Sequence, residues 1–275
     1  MPSWTEAVDV ELPTVRVVRR GGRRWGLVDL SPDEMDALMR GDPAPAAAVV
    51  ADLLRRLGVP RGARAALVLP SSAALEQTVR LPPRIPPREL RAAMLDAARR
   101  QFGPGHDALH IATRYLGEGR AYLFGIRRDQ VAARVALARA AGLRPVRAAV
   151  QSACWAAALG IRDGFVAALS RGWTLTLVAY TGSAPADAFA AAIRPGHAVE
   201  DAAEALQMLC DPERLAYHGL SASGALWALG EAARWPGLAE VVRGAAPGLS
   251  VVVPEPLPKG ADAAEYAAAW ALSSS

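Results

Sequence analysis

The residue types able to do chemistry are few here and widely spaced. His106 and His110 stand four apart with Asp107 between them. On a helix, two such imidazoles would share a face and hold a metal ion. Gly103-Pro104-Gly105 precedes them and predicts a strand start instead, where no third or fourth ligand joins them. They read as structural or surface histidines. Ser221, in Gly219-Leu220-Ser221-Ala222-Ser223, approaches a nucleophile elbow, but that motif needs glycine in the last position. Its triad also needs a later histidine, and His218 is the last in the chain. A helix cap is the expected role of Ser221. Gly117-Glu118-Gly119 does not extend to a dinucleotide fingerprint, because Tyr122 takes the final glycine position and a strand follows. The two cysteines, Cys154 and Cys210, lie among apolar residues and read as buried thiols, not as a disulfide or a zinc site.

Composition narrows the classes further. The 275 residues are 52% hydrophobic and 21% charged, enough to bury a core and too apolar for disorder. The 31 basic and 27 acidic residues are interspersed, and aromatics are only 6%, which argues against a nucleic-acid surface. Met1 to Glu6 lacks the basic start and apolar run of a secretion signal, and no stretch of about 18 uncharged apolar residues appears. The expectation is a cytoplasmic protein, with any membrane contact running through a partner.

The elements that would position these groups alternate between strand and helix. Val15 to Asp29 reads as a hairpin around Gly21-Gly22, and Ser31-Pro32-Asp33-Glu34 starts a helix with a capping box. Helix Ala44 to Leu57 comes next, closed by Gly58. From Arg64 to Ala149 the order is β-β-α-β-β-α-β: strands 64–69 and 73–81, a helix over 89–102, strands 109–116 and 120–126 about Gly117-Glu118-Gly119, a helix over 129–141, and a strand over 144–149. An apolar helix carrying Cys154 and Trp155 comes after Gln151-Ser152. Strands 165–169 and 173–180, helices 185–193 and 199–209, strand 214–219, a helix 222–242 broken at Trp235-Pro236-Gly237, strand 249–253 and helix 261–272 complete the reading. The class is α/β.

The middle third resembles the PilM family of pilus assembly proteins and, more loosely, the cell-division protein FtsA. The resemblance rests on Ala65-Ala66-Leu67-Val68-Leu69-Pro70-Ser71-Ser72, Val79-Arg80-Leu81-Pro82, the helix Arg88 to Ala93, the strand Ala121 to Ile126, and Ala140-Ala141-Gly142-Leu143-Arg144-Pro145-Val146. Trp235-Pro236-Gly237-Leu238 and the closing helix Ala264 to Leu272 add weaker matches. It implies an actin-like (ribonuclease H-like) two-lobed fold with an inserted β-β-α-β-β-α subdomain. Residues 1–63 would begin lobe I, 64–149 would form the insert, and 150–275 would complete lobe I and a reduced lobe II. Falling short of the usual family length of about 350 residues implies trimmed lobes, the first phosphate hairpin included.

The same resemblance implies an interlobe cleft for ATP, which needs two tight turns with close backbone amides and an Asp for magnesium. The first falls at Asp9-Val10-Glu11-Leu12-Pro13-Thr14, where Glu11 replaces a glycine and Pro13 removes a donor. The second falls within Val166 to Thr174, where Ala167-Ala168-Leu169 replaces Asp-x-Gly. The adenosine-side loop would run from Gly219 to Gly224, in form a strand-to-helix turn. The expected site is degenerate, with no cofactor and no catalysis. The expected role is a scaffold binding the cytoplasmic tail of a PilN-like single-pass membrane protein, with Arg80, Arg144, Arg147 and Trp155 as partner-binding candidates. Trp227, Trp235 and Trp270 are further anchor candidates. Two alternatives stand beside it. One is an actin-like ATPase binding ATP and magnesium through Asp9, Asp163 or Asp187. The other is the cytoplasmic domain of a GspL-like type II secretion protein, whose reading frame would continue past Ser275 into a membrane helix. A small-molecule kinase of the same superfamily would lack the insert.

Overall fold

The computed structural model describes residues 6–19, 24–170, 173–182 and 184–254. Two sheets organise it. The first has the order β3-β2-β1-β4-β8, from β1 (Glu6–Glu11), β2 (Thr14–Arg19), β3 (Trp25–Asp29), β4 (Arg64–Leu69) and β8 (Arg144–Val150). β1, β2 and β3 are antiparallel, while β1, β4 and β8 run parallel. The second sheet has the order β13-β12-β9-β10-β11-β5-β7-β6. Its strands are β5 (Ala74–Arg80), β6 (Leu109–Gly117), β7 (Arg120–Arg127), β9 (Gly164–Leu169), β10 (Thr174–Thr181), β11 (Ala184–Ala192), β12 (Gly224–Gly230) and β13 (Leu249–Val252).

Helices cover the sheets according to their apolar faces. α1 (Pro32–Met39) opens with the expected capping box, Ser31 Oγ accepting from the Glu34 amide and Glu34 Oε2 from the Ser31 amide. α2 (Ala44–Arg56) and α4 (Arg128–Ala140) bury Val50, Leu53, Leu54, Leu137 and Ala138 against one face of the first sheet. α6 (Ala198–Leu209), α7 (Pro212–His218) and α8 (Leu238–Ala245) cover the second sheet around Phe165, Leu177, Leu206 and Val241. α5 (Gln151–Leu159) lies between the two sheets, where Cys154 and Trp155 pack with Val68, Val166, Val178 and Tyr180. Both cysteines are buried free thiols, and burial pushes Cys154 up to about 12.

Residues 64–149 keep the expected strand and helix order, but they do not lie in one sheet. β4 and β8 flank each other in the first sheet, and α4 covers that sheet. Only β5, α3 (Pro87–Phe102), β6 and β7 leave it, forming their own small core of Leu81, Met94, Ala98 and Leu123. β5 then joins the second sheet through a single pairing, Gln77 with Asp187 of β11. The reason is local: β4 is apolar at nearly every position and buried on both faces, as a central parallel strand must be, whereas β5 alternates.

Three expected elements change type. The 185–193 helix is β11, because Ala184 and Ala186 fill a slot between β10 and β5 where a helix would not fit. The 214–219 strand is helix α7, capped by Asp211, whose carboxylate accepts from the Arg214 amide at 2.8 Å, with Pro212 at its first position. The front of the 222–242 helix is β12, held parallel between β9 and β13, and only Leu238–Ala245 is α-helical there. The 261–272 helix, the Gly21-Gly22 tip and Trp270 lie outside the described residues.

Candidate functional site

The turn expected in the first phosphate position is the β1–β2 hairpin. Its register pairs Glu11 with Thr14, so Leu12 and Pro13 alone make the turn, and Pro13 offers no N–H. Asp9, in mid-β1, is 2% exposed. Both its oxygens accept from Gln151 Nε2 at 3.2 Å, and Arg16 Nη1 lies 3.9 Å away. Burial pushes the Asp9 carboxyl up to about 7, against the pull of Arg16 and Gln151. Glu11 does not face open cleft; it holds the same arginine at 3.0 Å. Asp9 and Glu11 are therefore tied to side chains of this chain.

The second turn joins β9 to β10. Ala167 and Leu169 are buried in the main core, and no acidic residue lies between Val166 and Thr174. Ser170 closes the turn itself: its Oγ accepts from the Thr174 amide at 3.1 Å and its amide donates to the Thr174 carbonyl at 3.0 Å. Gly230, at the end of β12, crosses so closely that a Cβ there would meet the Leu169 carbonyl oxygen at 2.4 Å. The 219–224 loop is a helix-to-strand connection, from the α7 cap Gly219 to Gly224 at the start of β12. Ser221 therefore caps no helix; its hydroxyl lies 2.8 Å from that of Ser223. Asp163 accepts from the Gly182 amide at the opposite end of β9, and Asp187 pairs with Arg214, so neither converges on Asp9. Among the described residues no three His, Cys, Asp or Glu side chains group as metal ligands. Magnesium triphosphate does not fit this donor set: the one carboxylate in place is buried and bonded, and the second turn has none.

A polar network that the sequence reading missed fills the junction instead. Gln151 Oε1 accepts from the Ser71 amide at 3.2 Å, and Ser71 Oγ accepts from the Ser152 amide at 2.9 Å, so the turn after β4 caps α5. Glu76 of β5 accepts from the Ser152 hydroxyl at 2.5 Å and from Tyr122 of β7. Tyr180 of β10 donates to the Ser152 carbonyl at 2.7 Å. Burial raises the Glu76 carboxyl above its ordinary range, despite those donors. The network links the first sheet, the excursion β5–β7 and the second sheet through one helix start. The available signal was Glu76 and Thr78 on the inward side of an alternating strand.

The partner candidates separate. Arg80, at the end of β5, is exposed and lies 4.8 Å over the Tyr217 ring of α7; its amide donates to the Tyr217 hydroxyl at 3.0 Å. It stands between two cavities. One, of about 500 Å³, is lined by Leu81, Pro82, Ile85, Leu90 and Tyr115. The other, of about 680 Å³, is lined by Glu76, Asp187, Arg214, Tyr217 and His218. In the second, burial pushes Asp187 up, but Arg214 and His218 outweigh it and hold the carboxyl below its usual range. Arg144 and Arg147 are exposed on the edge strand β8. Trp155 is 4% exposed in the core between the sheets, so it has no surface to offer a partner. Trp227 and Trp235 are half-buried against the same cores. His106 lies in a short 3-10 turn with Nδ1 2.9 Å from the Gly103 carbonyl oxygen, while His110 is exposed on β6.

No protein-family model matches the sequence, and no curated protein matches it. Solved structures do. A chain of the PilM–PilN type IV pilus biogenesis complex is similar with a TM-score of 0.72 and 17% identity, covering 98% of this chain and 96% of that one. The cytoplasmic domain of EpsL, an inner-membrane component of the type II secretion system of Vibrio cholerae, is similar at TM-score 0.52 and 14% identity, over 94% and 86% of the two chains. A Bacteroides thetaiotaomicron protein with an actin-like ATPase fold and unknown function is similar at 0.50 and 8%, over 90% of each. The fold is actin-like. More particularly, it is the PilM-like form of that fold. The likeness covers 96% of that pilus chain, and the first hairpin is present as β1 and β2.

Among the described residues no helix is long and apolar enough to cross a membrane.

Proposed function

We propose that this protein is a non-catalytic scaffold of a type IV pilus, or related type II secretion, inner-membrane assembly. It works in the cytoplasm, held at the inner membrane by the short cytoplasmic tail of a PilN-like single-pass protein. The observation that carries the reading is the end-to-end likeness to a chain of a PilM–PilN complex, combined with a cleft whose polar groups are spent on one another. The tail seats beside Arg80, where the apolar cavity of Leu81, Ile85, Leu90 and Tyr115 accepts alternate side chains and the guanidinium pairs with a carbonyl or carboxylate. Arg144 and Arg147 stand exposed on β8, the edge strand of the other sheet, as a separate basic contact.

Two titrations test it. A peptide copying the cytoplasmic tail of the membrane protein encoded beside this one is expected to bind saturably, more weakly after Arg80→Ala. ATP with magnesium at millimolar concentration is expected to give no heat and no thermal stabilisation. Micromolar ATP binding would overturn the non-catalytic part, and no peptide binding would overturn the scaffold part. The likeness to the EpsL cytoplasmic domain supports the second reading, a cytoplasmic domain of a GspL-like type II secretion protein.

A further inference from the structure

Charge is distributed very unevenly along this chain. Residues 80–147 contain fourteen arginines, no lysine and five acidic residues, a net charge of +9, while the remaining residues carry 17 basic and 22 acidic side chains. The excess begins on the excursion β5–α3–β6–β7 and continues through α4 into β8. On α3, Met94 and Ala98 face inward onto Ala121 and Leu123 of β7. Arg88, Arg91 and Arg99 are exposed, and their spacing of three and then eight residues keeps them within about 80° of helix circumference. Arg84 is exposed just before the helix, and Arg128, bonded to the Leu109 carbonyl at 3.2 Å, extends the row past its far end.

Local acids do not neutralise this face. Glu89 pairs with Arg88 of this row, and Asp96 with Arg100 beside it, so local acids offset only part of the charge. Arg84, Arg91 and Arg99 have no ion pair among the described residues. Like charges held together repel, so such a row adds nothing to folding. It is suited to a surface that is itself anionic.

We propose that the outer face of α3 docks on the anionic headgroups of a lipid bilayer. Three features favour a bilayer over a nucleic acid. No aromatic side chain is interleaved with the arginines to stack on bases; Ala92 and Leu95 lie between them. The row faces outward, and the cavity it borders at Arg84 is lined chiefly by apolar side chains, not by a track of cations that would follow a phosphate strand. The chain outside 80–147 is net acidic and is repelled by the same surface, so the charge separation orients the molecule with α3 toward the bilayer. The choice of a bilayer also rests on the proposed seat beneath the inner membrane, but the contact needs no partner protein.

The test uses the full chain alone with vesicles. Binding is expected to vesicles of mixed phosphatidylglycerol and phosphatidylcholine, not to phosphatidylcholine alone, and to disappear near about 0.5 M salt. Each arginine near such a surface contributes about fivefold in affinity, so R88E/R91E/R99E is expected to lose about a hundredfold or more. Its circular dichroism and melting temperature should match the parent. The R55E/R56E/R61E variant, altered at exposed arginines of α2 and the turn after it, is expected to keep binding and matches the net charge change. Absence of vesicle binding, or equal loss in both variants, would overturn the proposal while leaving the tail-binding reading intact. Tighter binding of duplex DNA through the same three arginines at equal salt would reassign the face to nucleic acid.

Discussion

In the interlobe junction, Asp9, Glu11, Arg16, Gln151, Ser152 and Glu76 are buried or nearly so and bond to one another. On the excursion, Arg80, Arg84, Arg91 and Arg99 stand outside the core, and the last three lack acidic partners among the described residues. Both regions are rich in polar groups, yet one satisfies them internally and the other leaves them for something else. Where a related fold would aim backbone amides at phosphates, this chain has proline, alanine and leucine, and the remaining carboxylate serves as a joint between sheets. A joint contributes to stability; an unneutralised surface is kept for contact.

The largest expected effect that would sharpen this contrast is at the joint. Trp155→Ala is expected to cost about 3–5 kcal/mol in urea unfolding, since it empties the core between the sheets. The tail-peptide affinity of the folded fraction should stay unchanged. A weaker peptide complex at unchanged stability would break the contrast and return Trp155 to the partner surface.

Next is the Asp9 carboxyl. Its pKa is raised on folding, from 3.8 to about 7, so the folded state holds the proton more tightly than the unfolded chain. Its contribution is fully present below about pH 4 and is lost as the pH rises toward about 7. Relative to Asp9→Asn, the parent should therefore lose on the order of 4 kcal/mol across that window and then level off. Parallel curves for the two proteins, measured by denaturant titration at several pH values, would show that Asp9 is ionised and open to solvent.

Smaller is the capping box, a joint outside both regions. Ser31→Ala is expected to cost about 1 kcal/mol, with peptide and vesicle binding unaltered.

Smallest in stability is Arg80→Ala, which removes an exposed cation over the Tyr217 ring and should cost about 0.5–1 kcal/mol. Its effect on the tail peptide is expected to be about tenfold or more. A loss of stability without a loss of affinity would move Arg80 from the contact region to the joint.

Much of the first half was legible because its signals are local. Ser31-Pro32-Asp33-Glu34, Pro86-Pro87 and Gly117-Glu118-Gly119 act through bonds within a few residues, and the structure places α1, α3 and the β6–β7 turn there. The glycine turn needs positive φ at all three positions, including Glu118. Asp211-Pro212 was an equally local helix signal, read past in favour of an apolar strand pattern. Ala184–Ala192 and Gly224–Gly230 carry no such signal. One is alanine-rich and the other nearly all apolar, so period and propensity both suit a helix, and only the slots between β10 and β5 and between β9 and β13 make them strands.

By itself, then, the sequence determined the short-range punctuation and the α/β alternation, and it displayed residue by residue which glycines and carboxylates the expected phosphate turns lack. Tertiary structure alone decided that β4 and β8 belong to one sheet and β5 to another, that Glu76 and Asp9 share a buried network 67 residues apart in the chain, and that Arg80 meets Tyr217. Those outcomes depend on long-range pairing, in which a strand takes its place from neighbours distant in sequence and a side chain's environment is set by whatever the opposite sheet presents.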